Sequence, residues 1–241
     1  MTDPTSIPVA ILGGTGALGH GLAARLAAAG HPVTLGSRDA QRAATSAGEL
    51  AEQLADAADL GHLLTGTSNS EAAADHDVVI LATPWDSSGD SLRELAAPLA
   101  GAVVISAINP LGFDAHGPHA LEVAEGSAAE QVAALLSASR VAAAFHHLSA
   151  PSLLKLDRDL SHEDVLVCAD DDSARATALQ LAAAVTGKVG IDVGRLRQAR
   201  QLEAFTAVLI AVNKRYRTRS GLSLSNVDRS KATVPVPAAT L

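Results

Sequence analysis

The chain has very few of the residues that disulfide frameworks, aromatic-rich cores and membrane spans require. Its 241 residues include one Cys, one Trp, one Tyr and three Phe. The single cysteine, Cys168, excludes a disulfide scaffold and favours a reducing compartment. No run approaches the roughly 18 apolar residues that span a bilayer. The N-terminus carries Asp3 and lacks the basic n-region of a secretory signal. We therefore expect a soluble, cytoplasmic protein.

Alanine and aliphatic residues supply what the aromatics do not. Fifty residues are Ala, apolar residues make up 48% of the chain and charged residues 18%. Disorder of the whole chain is excluded by this apolar content. Because Ala is the best helix former, the composition predicts closely packed helices around a well-filled core.

The charge is acidic overall but unevenly distributed. The net charge of −8 argues against nucleic acid as a partner. Residues 188–241 nevertheless hold ten of the 18 Lys and Arg and only three of the 26 acidic residues. A basic segment on an acidic body could attract an anionic ligand. The same charges could instead serve dimer contacts or a solvated helix surface, and the sequence leaves both roles open.

Strand and helix signals alternate through the first 145 residues. Short apolar runs alternate with Ala-rich helical stretches, and the runs are continuously apolar. This pattern predicts a parallel sheet covered on both faces, a Rossmann-like doubly wound α/β fold. Strands are predicted at 7–12, 31–36, 62–66, 77–83, 102–106 and 140–145, and helices at 17–29, 39–58, 88–99 and 127–136.

The remainder of the chain predicts a small C-terminal α/β subdomain. Strands are expected at 164–169 and 188–194, with helices at 173–186 and 195–217. The middle of the last helix is apolar on nearly every face, which is typical of a helix in a core or a subunit interface. We expect domains at 1–148 and 149–227, followed by a mobile tail at 228–241.

The first predicted strand runs directly into a glycine turn. Gly14, Gly16 and Gly19 form G-x-G-x-x-G after a strand and at the start of a helix, as in dinucleotide-binding units. Gly14 is expected to permit the tight turn and Gly16 to let the backbone approach a pyrophosphate. Gly19 is expected to let the helix pack against the strand. The helix N-terminus would add unpaired N–H groups for the anion.

Two other nucleotide-binding patterns are excluded. A P-loop would have Lys where this chain has His20. A short-chain dehydrogenase would have Tyr-x-x-x-Lys, but the only Tyr is Tyr216, and Ser220 stands four residues later.

The end of the second strand predicts NADP(H) rather than NAD(H). NAD-binding units place an acidic residue there for the ribose 2′-OH. This strand instead ends in Ser37 and Arg38, and Arg42 follows one helical turn later. Arg suits a 2′-phosphate through charge-assisted bonds.

Taken together, the motifs resemble the F420H2:NADP oxidoreductases, also called NADPH-dependent coenzyme F420 reductases, over residues 7–227. The segments that carry the resemblance are VAILGGTGALGHGLAARLA, LGSRDAQR, ATPWD, VISAINPLGFD, GSAAEQVAALL, VAAAFHHLSA and NKRYRTRSGLSL. Each is modest, but their order and spacing are specific. Coenzyme F420 is implied by this resemblance and by nothing else in the sequence.

The resemblance also assigns site residues. It places the pyrophosphate at the turn of Thr15, Gly16, Ala17 and Leu18, and the 2′-phosphate at Ser37, Arg38 and Arg42. It implies cofactor contacts at Trp85 and, through the backbone alone, at Gly89. His146 and Leu148 match the catalytic loop against the reacting rings, and Ala150 lies beside the nicotinamide. Asn109 and Pro110 form the other wall of the deazaflavin pocket, which domain 149–227 closes near Ser220.

The implied reaction is hydride transfer between nicotinamide and deazaflavin, in a homodimer that uses no metal. Such chemistry needs orientation more than acid–base groups, although His146 or a water must protonate the deazaflavin. Lys214, Arg215, Arg217 and Arg219 precede Ser220 and could steer the anionic tail of F420. Two alternatives remain open: an NADPH-dependent reductase of a small imine or oxo acid, and an NADP-sensing regulatory protein without turnover.

Overall fold

The computed structural model of the protein describes residues 6–229. All eight predicted strands of the main sheet are present, and a hairpin adds two more strands. The strands are β1 Val9–Leu12, β2 Val33–Ser37, β3 Leu64–Ser68, β4 Val78–Leu81, β5 Val103–Ser106, β6 Leu111–Asp114, β7 Gly117–Ala120, β8 Arg140–Ala143, β9 Leu166–Ala169 and β10 Ile191–Asp192.

The helices pack on both faces of the sheet. They are α1 Ala17–Ala28, α2 Ala40–Leu54, α3 Asn69–Ala74, α4 Asp90–Glu94, α5 Ala128–Leu135, α6 Ala150–Leu153, α7 Asp172–Thr186 and α8 Ala199–Tyr216. The helix predicted at 88–99 is reduced to α4, followed by turns. Pro98 lacks the N–H that a longer helix would need.

The main sheet has the order β10-β9-β8-β5-β4-β1-β2-β3. Six neighbouring strands of this sheet are parallel, as predicted for a Rossmann-like fold: β8, β5, β4, β1, β2 and β3. Successive residues of β1 alternate between two cores: Val9 and Ile11 pack with α1, α2 and α7, whereas Ala10 and Leu12 pack with α3, α4 and α5. Burial on both faces explains why these strands are continuously apolar.

The C-terminal part extends this sheet. Strand β9 pairs antiparallel with β8, and β10 pairs parallel with β9. The strands of residues 149–227 therefore continue the sheet of residues 1–148 at one edge, and they do not form a sheet of their own. Helix α6 packs against α1, where an added Cβ on Gly21 would lie 2.6 Å from Leu153 Cβ.

The chain is held in place up to Arg229, which was expected to be part of a mobile tail. Arg229 pairs with the buried carboxylate of Asp164 and donates to the carbonyl of Val189. The rest of the predicted tail, 230–241, lies outside the described residues. Within residues 6–229, no helix has both the length and the apolarity to cross a membrane.

Candidate functional site

The glycine turn that follows β1 is built from backbone contacts that leave no room for side chains. The positive φ of the turn, +76°, is at Gly13, where a Cβ would lie 2.8 Å from the carbonyl of Ala82. Gly14 has no positive φ, so its part in the tight turn is the absence of a side chain. Gly14 is needed because a Cβ would lie 2.8 Å from the carbonyl oxygen of Ile11 and 2.9 Å from Leu35. Gly19 lies against Gly14, with an added Cβ 2.7 Å from its Cα.

The N-terminus of α1 presents an exposed backbone to solvent. Gly16 is the N-cap, makes no side-chain cap bond, and is exposed together with Ala17. Thr15 and Leu18 are half-buried beside them. The first N–H groups of a helix have no intrahelical partners and attract anions. This cradle therefore fits a pyrophosphate, as the sequence predicts.

Two arginines lie at the adjacent strand end. The glycine turn is joined to β2 by the hydrogen bond from Gly14 N to Gly36 O (3.1 Å). Ser37 is buried there, whereas Arg38 and Arg42 are exposed. Within residues 6–229, neither guanidinium forms a salt bridge or a hydrogen bond. Two unpaired cations beside the nucleotide cradle fit the 2′-phosphate of NADP(H).

A carboxylate also lies at this strand end, but it is engaged elsewhere. Asp39 caps α2, and its Oδ1 accepts the backbone N–H of Arg42 at 3.0 Å. An aspartate occupied in this way is directed to the helix start, where negative charge is favourable.

Trp85 and Gly89 follow β4 and differ in their surroundings. Trp85 is half-buried, and its Nε1 donates to Oε1 of Gln131 on α5 at 3.0 Å. Gly89 is buried with a φ of +69°, and an added Cβ would lie 2.5 Å from Leu135. Its N–H donates to Asp86 O and its carbonyl accepts from α4. The expected backbone contact of Gly89 with a cofactor is therefore not supported, since both its polar groups are used internally.

The end of β8 carries the most tightly held part of the site. His146 is 4% exposed, and its Nδ1 lies 3.2 Å from Oδ1 of Asn109, which follows β5. Asn109 Nδ2 donates to the carbonyl of His146 at 3.4 Å. Burial, and to a smaller extent the neighbouring His147, lowers the pKa of His146 to about 3. His146 is therefore a neutral imidazole near pH 7.

The backbone immediately before His146 is strained. Phe145 has a φ of +69°, and its side chain is buried. A bulky residue in the left-handed region costs about 1–3 kcal/mol and persists only where its surroundings enforce it. This bend takes His146 and His147 out of the line of β8 at the carboxyl edge of the sheet, where ligands of such folds bind.

The remaining residues of this loop are mostly covered. His147 Nε2 donates to the carbonyl of Leu202 at 2.8 Å, and burial lowers the pKa of its imidazole. Leu148, which was predicted to be catalytic, is 9% exposed and packs in the core. Its side chain therefore supports the loop and offers little surface to a cofactor. Ala150 begins α6 and is half-buried. Pro110 is buried and precedes the β6–β7 hairpin.

Ser220 lies at the other end of α8. Its N–H and Oγ both donate to Oδ1 of Asn213, at 2.6 and 2.8 Å. Asn213 is seven residues beyond Thr206, which contacts His146, and seven residues of helix span about 10 Å. Ser220 therefore lies away from His146, beside a cleft of about 490 Å³ lined by Arg158, Asn213, Arg217, Thr218 and Arg219.

Thr206 is a site residue that the sequence analysis did not identify. Its Oγ1 lies 3.1 Å from Asn109 Oδ1 and 3.1 Å from the carbonyl of His146. The one available signal was a hydroxyl within the apolar segment EAFTAVLIAVN.

Known proteins resemble this chain over most of its length. Residues 8–110 match the family described as NADP oxidoreductase coenzyme F420-dependent. A Methanothermobacter thermautotrophicus protein named F420-dependent NADP reductase is 37% identical, covering 92% of this chain and 97% of that protein. A protein of the same name from Methanocaldococcus jannaschii is 35% identical, covering 91% of this chain and 99% of that protein.

A solved structure agrees with these sequence matches. A crystal structure from Arthrobacter sp. FB24, which carries the name of an F420 dependent NADP-reductase, superimposes with a TM-score of 0.70 at 26% identity. The match covers 91% of this chain and 100% of that chain. Because the named relatives reach 35–37% identity across more than nine tenths of this sequence, the chain belongs to the F420-dependent NADP reductase family.

Proposed function

We propose that this protein transfers a hydride reversibly between NADP(H) and the deazaflavin coenzyme F420. The observation that carries the proposal is the 37% sequence identity with an F420-dependent NADP reductase, in an alignment that covers 92% of the chain. The exposed nucleotide cradle and the unpaired Arg38 and Arg42 support the NADP(H) half of the reaction.

The residues of the carboxyl edge have distinct roles in this proposal. The turn from Thr15 to Leu18 binds the pyrophosphate through backbone N–H groups, and Ser37, Arg38 and Arg42 bind the 2′-phosphate. Trp85, Asn109, Pro110, His146, Leu148 and Ala150 border the reacting rings. The two bound cofactors supply the hydride donor and acceptor, and the protein supplies their orientation.

His146 orients a ligand and does not donate a proton. Its imidazole is neutral near pH 7 because burial lowers its pKa to about 3. Its Nδ1–H is already held by Asn109 Oδ1. Of the two sources left open by the sequence, His146 and water, we propose water as the source of the proton for the deazaflavin.

The same proposal covers the larger organisation. Residues 1–148 bind NADP(H), and residues 149–227 close the deazaflavin pocket near Ser220. The protein works as a homodimer in the cytoplasm. Two apolar side chains of α8, Phe205 and Val208, are exposed. They support the dimer because contact with a second copy would remove them from water.

A single absorbance experiment tests the reaction. Mixing the protein with NADPH and oxidised F420 should bleach the visible band of the deazaflavin, whereas NADH in its place should bleach it far more slowly. No bleaching with NADPH would overturn the proposed function. Oxidation of NADPH by an imine or an oxo acid without F420, seen as loss of the NADPH absorbance, would favour the alternative reductase.

A further inference from the structure

Three side chains from three separate elements meet behind the loop that follows β8. Thr206 comes from α8, Asn109 follows β5, and His146 follows β8. The Thr206 hydroxyl is 3.1 Å from both Asn109 Oδ1 and the His146 carbonyl, and 3.5 Å from Leu202 O of its own helix. All three oxygens are acceptors for the one hydroxyl proton, and Thr206 is 9% exposed, so water does not compete freely for it.

These contacts fix the protonation of the imidazole. Asn109 Nδ2 donates to the His146 carbonyl, which requires Oδ1 of the same amide to face the imidazole and the Thr206 hydroxyl. The His146 proton therefore lies on Nδ1, and Nε2 keeps a lone pair. Within the described chain, that buried Nε2 has no hydrogen-bond partner, and an unpaired buried acceptor is unfavourable unless a ligand completes it.

The same face of α8 holds the rest of the loop. The carbonyl of Leu202 accepts from His147 Nε2 at 2.8 Å, and the ring of Phe205 meets the His147 ring edge-on at 5.6 Å. Together with Thr206, these contacts maintain the left-handed bend at Phe145, whose φ is +69°. A strained bend of this kind relaxes when its restraints are removed.

We propose that Thr206 is a positioning residue: through Asn109 and the carbonyl of His146, it holds the loop 146–150 at the place where hydride transfer requires it. This inference rests on the proposed function, because the loop matters for rate only if it borders the reacting rings. Hydride transfer is sensitive to such placement, since a displacement near 1 Å can cost about a hundredfold in rate.

Matched substitutions separate the hydroxyl from the volume of the side chain. Thr206→Val is isosteric and lacks the hydroxyl, and Thr206→Ser keeps it. We expect Thr206→Val to lower kcat about tenfold and to leave the KM for NADPH within about twofold, because the phosphate-binding groups lie on other elements. Thr206→Ser should restore kcat to within about twofold of the wild type. Thr206→Ala removes the same hydroxyl and replaces the Val variant if that variant does not fold.

An imidazole spectrum tests the contact independently of turnover. Long-range ¹H–¹⁵N correlation spectra should show His146 of the wild type as a neutral imidazole with its proton on Nδ1. Thr206→Val should shift these signals or average the two tautomers, and Thr206→Ser should not.

Three results would overturn the inference: unchanged His146 signals in Thr206→Val, equal loss of kcat in the Val and Ser variants, or a rise in the KM for NADPH at constant kcat. If the wild type does not couple NADPH to F420, the proposed function fails, and the spectra still decide whether Thr206 holds His146.

Discussion

Among single side chains, Arg38 is the residue that we propose decides the choice between NADP(H) and NAD(H). It is exposed at the end of β2 beside the nucleotide cradle. A charge-assisted hydrogen bond contributes about 1.5–3 kcal/mol, so Arg38→Ala should raise the Kd for NADPH roughly 10–100-fold. The Kd for NADH should change little, because NADH has no 2′-phosphate. Titrations that follow nicotinamide fluorescence measure both constants.

Arg195 provides a matched control for this prediction. It is also exposed, but it follows β10 at the opposite edge of the sheet and pairs with Asp170 at 3.7 Å. Arg195→Ala should leave both dissociation constants unchanged. If Arg38→Ala weakened NADH as much as NADPH, Arg38 could not be reading the 2′-phosphate.

The sequence pattern predicted some residues of the candidate site and missed others, and the difference has a physical reason. The spacing of Gly14, Gly16 and Gly19 located the cradle, because a tight strand-to-helix turn has few solutions. The backbone at Gly13 packs against Ala82, which follows β4, and Thr206 contacts Asn109, which follows β5. Such contacts join residues far apart in sequence, and single-residue signals do not carry that information.

Helix α8 acts as a cap for another helix. Glu203 is 3% exposed, and its two carboxylate oxygens accept the N–H groups of Ala128 and Ala129 at 2.7 and 2.9 Å. These residues begin α5, where a carboxylate also faces the positive end of the helix dipole. Burial nevertheless outweighs these bonds and raises the pKa of Glu203 to about 7.

The raised pKa predicts how stability changes with pH. The folded state holds this proton more tightly than the unfolded chain, so the contribution is complete below pH 4.5 and is lost as the pH rises through 7. Relative to Glu203→Gln, the wild-type free energy of unfolding should fall by about 3 kcal/mol across this window. Urea unfolding at a series of pH values measures the difference.

A surface glutamate supplies the control, and His146 does not interfere. Glu52 on α2 is exposed, so Glu52→Gln should follow the wild-type pH profile. The depressed pKa of His146 acts in the opposite direction, as pH falls from 6.5 towards 3, but it is common to both proteins. A Glu203→Gln profile parallel to that of the wild type would show that Glu203 ionises normally.

The strands and long helices were predictable because their apolar periodicity is set by burial on two faces. The β6–β7 hairpin was not, because its two strands have only four residues each and all of these are half-buried or exposed. The strands β9 and β10, within the subdomain expected at 149–227, join the main sheet through β8. The apolar runs predicted where β9 and β10 lie, although β10 has only two residues, and they cannot tell whether the two strands pair with each other alone or also with β8.

At the level of assembly, α8 is the expected dimer contact. Phe205 and Val208 are 38% and 50% exposed in the middle of this helix, one turn apart. Light scattering at micromolar concentration should therefore give twice the 24.4 kDa of one chain. Val208→Glu should shift the mass to that of the monomer, because it places a charge in an apolar contact.

Val189 offers a matched control on a different surface. It is 46% exposed beside β10, and Val189→Glu should leave the dimer intact. A wild type that scatters as a 24.4 kDa particle would refute the dimer. Dissociation by both variants would mean that added charge, and not the position on α8, is responsible.

The basic cleft at the end of α8 contains part of the positive charge of the C-terminal segment, and we predict that this charge attracts F420. Of the four predicted cations, Arg217 and Arg219 line the cleft with Arg158, whereas Lys214 and Arg215 are exposed in the last turn of α8. Cations there also complement the negative helix end, worth about 0.3–1 kcal/mol each. Both roles can hold because they use the same charges.

Charge reversal separates steering from capping. The deazaflavin carries a phosphate and an oligoglutamate tail, so reversal of both Arg217 and Arg219 to Glu should raise its KM. The KM for NADPH should change little, since its phosphates bind at the glycine turn and at Arg38. Added salt should weaken wild-type deazaflavin binding and affect the variant less, because exposed charges are screened beyond about 8–10 Å. A deazaflavin KM that is flat in salt and unaffected by the reversal would limit these arginines to capping α8.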